Sequence, residues 1–236
     1  REKTASLFYN RKIEIPADKV HAAEKNICLV CGALGIPFEM PSWIPPGNEA
    51  ARVRLEKILK ENGIQNGKRF IGVVPGARWK SKQWPPEFFA SVIRGLASDC
   101  SQSEFVLLGA GDDSFAASAI MKTVGKEAVI HDLTGKTDIA ELVELIRKCA
   151  AVFCNDSGPM HIAAALGVPV FALFGPTDPD KTGPYGKFNE IFIANKGCIK
   201  CMRRYCLDGS YDCHSGIDVQ TVVARMVQFL KKCGEK

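Results

Sequence analysis

No stretch of this 236-residue chain approaches the ~18–20 consecutive apolar residues that a helix needs to cross a bilayer. No secretory leader opens it, so neither a membrane span nor export is expected. Internal repeats and low-complexity tracts are missing, which excludes solenoids and long disordered arms. Recognised RNA- and DNA-binding signatures are missing too. Neither sign of charge dominates: 31 basic against 26 acidic residues leave a net +5. That modest bias suits anionic partners, phosphates or a membrane surface, without requiring nucleic acid. Cysteine, by contrast, is plentiful at ten residues. Cys28, Cys31, Cys100, Cys149, Cys154 and Cys233 are scattered, several in apolar stretches, as small core residues are. The other four crowd into one short segment.

The length allows one large domain, or one domain and part of another. Val20, Ala23, Ile27, Val30 and Leu34 recur at helical spacing and predict a helix over 17–34, stopped at Gly35. Pro37, Pro41, Pro45 and Pro46 then make 36–47 a connector. Asn48 caps a helix that runs to about 62. Beyond it strands alternate with helices: strands over 70–74, 105–108, 128–130 and 151–154, and helices over 86–97, 114–124 and 139–149. Asp138 and Glu141 form a capping box for the last of these. Another buried strand follows Gly167, then a long irregular stretch, then a helix capped by Asp218 that ends near 231. Such alternation implies an α/β fold, a parallel sheet with helices on both faces. Residues 1–47 carry too little to bury a core of their own and read as the remnant of an N-terminal domain plus linker, with 48–236 as one domain. The alternative is an N-terminal extension packed on the sheet.

In open parallel sheets ligands sit beyond the carboxyl ends of the strands, so three turns are read together. The first, 75–85, gathers Arg78, Lys80 and Lys82 between Trp79 and Trp84, cations able to clamp a diphosphate, or else a solvated basic loop. The second, Gly109-Ala110-Gly111-Asp112-Asp113, has glycines that admit a ligand to the backbone and, in Asp112, an acceptor for ribose hydroxyls. The third is Asn155-Asp156-Ser157-Gly158, followed by Pro159, Met160 and His161. A helix that starts here offers free N–H groups to a phosphate, with His161 a further donor. The plainer reading is that Asp156 or Ser157 only caps that helix.

With those residues in view the chain resembles the glycosyltransferase family 9 heptosyltransferases, nearest the heptosyltransferase II branch. The resemblance rests on Lys82-Gln83-Trp84-Pro85, on the 155–161 block, on Phe174-Gly175-Pro176-Thr177 and on the cysteine-rich segment. It implies a Rossmann-like domain, the C-terminal half of a GT-B enzyme, that binds an ADP-heptose donor for inverting transfer to the lipopolysaccharide inner core. Lys82 would hold a donor phosphate, Asp112 the ribose and Asp156 the heptose. The Ser157 and Gly158 amides, with His161, would hold the diphosphate. No cofactor and no metal are implied, and the location would be cytoplasmic, peripheral at the inner membrane where the acceptor lies. The family's general base belongs to an early N-terminal loop, and this chain is expected to begin after it and to be inactive alone. No catalytic residue is assigned.

Two other readings stay open: a GT-B enzyme using another nucleotide sugar, and a metal-binding or interaction module centred on the cysteines. Cys198 and Cys201 have the spacing of a zinc knuckle, but Cys206, Cys213 and His214 follow at irregular gaps. Zinc, a labile disulfide and free thiols are all compatible with that pattern. The expectation is no stoichiometric metal, with the segment packed against the sheet and last helix and its Lys196, Lys200, Arg203 and Arg204 facing solvent or phosphorylated lipid.

Overall fold

The computed structural model describes residues 5–40, 44–65, 70–100, 103–194 and 198–234; Pro41 and Lys196, singled out above, lie outside them. In chain order the first elements are α1 (Ala22–Leu34), α2 (Glu49–Glu61), β1 (Phe70–Val74), α3 (Pro86–Asp99) and β2 (Glu104–Leu107). Then come α4 (Ser114–Val124), β3 (Val129–Asp132), α5 (Ile139–Arg147), β4 (Cys149–Asn155) and α6 (Gly158–Ala165). The last are β5 (Val170–Phe174), α7 (Pro179–Thr182), β6 (Asn189–Ile193), α8 (Asp212–Ser215) and α9 (Val219–Gly234).

The strands form one parallel sheet in the order β3-β2-β1-β4-β5-β6. The order reverses between β1 and β4, which makes that pair the topological switch point. Side chains alternate across β1: Ile71 and Val73 join the cluster under α3, α4 and α9, while Phe70 and Val74 join the one under α2, α5 and α6. Both faces are therefore covered, as a parallel sheet requires.

Local chemistry sets the element ends. Asn48 caps α2 by accepting from the Ala51 N–H at 3.0 Å, and Asp138 and Glu141 exchange the two bonds of a capping box on α5. The first helix starts at Ala22 rather than 17. A turn closes between Lys19 N–H and Pro16 O, and the extended His21 then caps the helix through Nδ1. Cys149 opens β4 instead of closing α5, which ends at Arg147. The stretch expected to be irregular holds α7, α8 and the edge strand β6.

Candidate functional site

The switch point is stitched by Asn155, the fully buried last residue of β4. Its Nδ2 donates to Pro75 O at 2.7 Å and its Oδ1 accepts from the Trp84 N–H at 3.2 Å, so both ends of the basic turn hang on one side chain. Over the carboxyl ends of β1, β2 and β4 lies a cleft of about 610 Å³, within the size range of sites that hold a nucleotide. Arg78 and Gln83 of the first turn line it, with Asp112 and Asp113 of the second and Ser157 and Gly158 of the third. A fourth turn, Thr137 to Ile139 after β3, completes the wall and was not foreseen.

The glycines of the first two turns serve the protein itself. A Cβ on Gly76 would overlap the Asp113 carboxylate, and one on Gly109 would lie 2.5 Å from Asp113 Oδ2. Asp113 fills that space and accepts from the Ala110 N–H at 2.9 Å; burial pushes its carboxyl above the usual range. Only Gly111 keeps open space where a ligand can approach its backbone. Asp112 is exposed on the cleft wall.

At the third turn neither polar residue caps α6. Ser157 occupies the N-cap position in an extended conformation but makes no capping bond. Its Oγ is buried without a hydrogen-bond partner among the described residues. Asp156, only 5 % exposed, is engaged elsewhere: Lys82 Nζ stands 2.7 Å from its Oδ2, and Thr177 Oγ1 donates to the same oxygen at 2.6 Å. Thr177 is the buried end of the Phe174–Thr177 block, a member of the site that its motif alone could have announced. His161 sits on α6, within electrostatic range of Asp156, Lys82 and His21. Desolvation lowers its pKa, Asp156 opposes the change, and His21 and Lys82 add to it. Lys82, Asp156 and His161 thus gather beside the cleft that Asp112, Ser157 and Gly158 line.

His21 is a second unforeseen neighbour. Its Nε2 lies 3.1 Å from Gly183 O, and its ring packs on Tyr185 with centroids 5.0 Å apart. With Nδ1 accepting from Ala23, Nε2 carries the proton.

The cysteine segment is placed differently from expectation. It bonds to the strand-end turns rather than packing chiefly on the sheet and last helix: Lys200 N–H reaches Gly175 O at 2.8 Å and Met202 N–H reaches Pro176 O at 2.7 Å. Its four thiols are free, and burial pushes that of Cys213 up to about 11, with Cys201, Cys198 and Cys206 adding to the effect. Among the described residues no three His, Cys, Asp or Glu side chains are gathered as a metal site. None of the helices among them is long and apolar enough to cross a membrane.

Sheet order, two covered faces and a switch-point cleft define a Rossmann-like α/β domain. The chain belongs to glycosyltransferase family 9: residues 1–212 match the family described as glycosyltransferase family 9 (heptosyltransferase). It is 37% identical over 166 residues to lipopolysaccharide heptosyltransferase 2 of Escherichia coli K12, covering 69% of this chain and 47% of the relative. Lipooligosaccharide heptosyltransferase 2 of Haemophilus influenzae is 33% identical over 173 residues, covering 72% and 49%. The solved E. coli ADP-heptose lps heptosyltransferase II superposes with a TM-score of 0.59 at 25% identity, over 80% of this chain and 55% of that one. The chain therefore spans about half the length of the curated relatives it matches.

Proposed function

We propose that this chain is the donor side of an inverting heptosyltransferase that moves heptose from ADP-heptose to the lipopolysaccharide inner core. The observation that carries this reading is the pairing of Lys82 with buried Asp156 beside an α6 N-terminus whose Ser157 hydroxyl has no hydrogen-bond partner among the described residues. The family membership and the ADP-heptose enzyme among its solved relatives point the same way.

In this reading the diphosphate lies against the first turn of α6. The Ser157 and Gly158 N–H groups and the Ser157 hydroxyl donate to it, and the helix dipole favours its charge. Lys82 and His161 supply charge-assisted donors from either side. Asp112 accepts from the ribose, and Asp156 receives heptose hydroxyls. As the bond from the anomeric carbon to the diphosphate breaks, negative charge grows on the departing ADP, and these preorganised donors stabilise it. The acceptor hydroxyl attacks the opposite face and loses its proton to a base supplied from the acceptor side. Residues 1–47 belong with that acceptor side, and the acceptor is met at the cytoplasmic surface of the inner membrane.

Titrating ADP-, UDP- and GDP-linked sugars against the chain by calorimetry tests the donor assignment. Saturable binding of the ADP-linked sugar, well ahead of the others, is expected. Preference for a UDP- or GDP-sugar would replace ADP-heptose with another nucleotide sugar. With an added lipid acceptor the chain alone should show negligible transfer, and clear turnover would make Asp156 the candidate base.

A further inference from the structure

The turn that carries Lys82 is gripped from outside the sheet. Ser81, 3 % exposed, donates its N–H to Arg204 O at 3.1 Å and its Oγ to Arg203 O at 2.6 Å. Further along the same turn, the Trp84 indole N–H donates to His214 O at 2.9 Å. The Trp79 ring carries Lys82 Nζ at 4.8 Å from its centroid and the Arg204 guanidinium at 5.5 Å. The near end of the same segment holds the turn after β5 through Lys200 and Met202, and the next residue of that turn, Thr177, holds Asp156. Both members of the Lys82–Asp156 pair are therefore reached from one stretch of chain. That stretch is held under strain: Lys200 and Met202 have φ of 54° and 58°, in the left-handed region that residues with a Cβ rarely occupy.

We propose that residues 198–214 form a strap that positions Lys82 for the donor diphosphate, with Ser81 as the positioning residue through which it acts. The proposal rests on the donor-site reading above and adds a wall to it. A lysine on a free turn loses backbone and side-chain freedom when it binds a phosphate, and that loss is subtracted from affinity. Within the turn, the Lys82 and Gln83 backbone N–H groups donate to Trp79 O and Lys80 O, and Gln83 Nε2 donates to Ala77 O at 2.8 Å. The Ser81 and Trp84 bonds to the strap fix what these leave free, so the turn is ordered before the ligand arrives.

A double-mutant cycle on ADP binding tests this, measured by calorimetry on the parent chain, Ser81→Ala, Lys82→Ala and the double variant. Ser81→Ala should weaken ADP about three- to tenfold, the usual effect of losing one neutral hydrogen bond. It should add nothing when Lys82 is already alanine, because the two act as one unit. Ser81→Thr, which restores the hydroxyl, should recover the affinity. If Ser81→Ala binds ADP like the parent, or weakens it equally in both backgrounds, the strap does not act through Lys82 and the proposal falls while the donor site stands. If Lys82→Ala itself binds ADP like the parent, the donor-site reading and the proposal fall together.

Discussion

Lys82 and Thr177 converge on one oxygen of Asp156, the lysine at 2.7 Å and the threonine hydroxyl at 2.6 Å. The lysine that the proposed donor site assigns to a phosphate is thus paired with a carboxylate in the free protein. A diphosphate must compete for it, and the Asp156 charge repels the incoming anion. Asp156→Asn should therefore bind ADP at least as tightly as the parent, while the advantage of ADP-heptose over ADP shrinks because the sugar loses its acceptor. Parallel titrations with both ligands check this, and an Asn variant that folds but loses ADP would contradict it.

Thr177 is 3 % exposed and its hydroxyl has one acceptor, Asp156. Thr177→Val keeps the shape and removes the donor. The unfolding free energy should drop by about 1–3 kcal/mol, the cost of a buried polar group that loses a partner. Urea unfolding measures it, and an unchanged midpoint would mean that Lys82 alone satisfies the carboxylate.

Desolvation lowers the His161 pKa, so the ring is neutral at pH 7 in the free protein. A bound diphosphate favours the imidazolium, so binding takes up a proton and affinity gains as pH falls. The gain should level off below the lowered pKa of the free protein. Dissociation constants for ADP between pH 8 and pH 6, compared with those of His161→Gln, cancel the titration of the nucleotide itself. Parallel pH profiles for the two proteins would remove His161 from the diphosphate.

His214 is buried, and burial pushes its pKa down to about 4, with a backbone hydrogen bond to Ser81 opposing the shift. Between that value and the ordinary ~6.5 the unfolded chain binds more protons than the folded one. Stability from this group is complete above pH 6.5 and falls as pH drops toward 4, by up to about 3 kcal/mol. Denaturant midpoints at pH 7 and 4.5 should separate less in His214→Phe than in the parent.

Much of this architecture is legible in the residues. Gly35, Asn48, Asp138 and Glu141 mark helix ends where the backbone has them, because caps are local chemistry. The 155–161 block announces strand, turn and helix for the same reason. The edge strand β6 leaves no such trace: Asn189 and Glu190 open it, and Phe192 is its one buried side chain. The strap is also silent in the sequence, since the carbonyls of Arg203 and Arg204 do the holding and any residue has a carbonyl. Asp113 was hidden beside Asp112, two like residues of which one faces the cleft exposed and the other fills the space over Gly76 and Gly109.

The donor site itself is tested most directly by titrating ADP into the parent chain, Lys82→Ala and His161→Ala. In the proposed site each substitution removes a donor to the diphosphate and should weaken binding by roughly 1–3 kcal/mol, about five- to 150-fold. Two variants that bind ADP as the parent does would contradict the account.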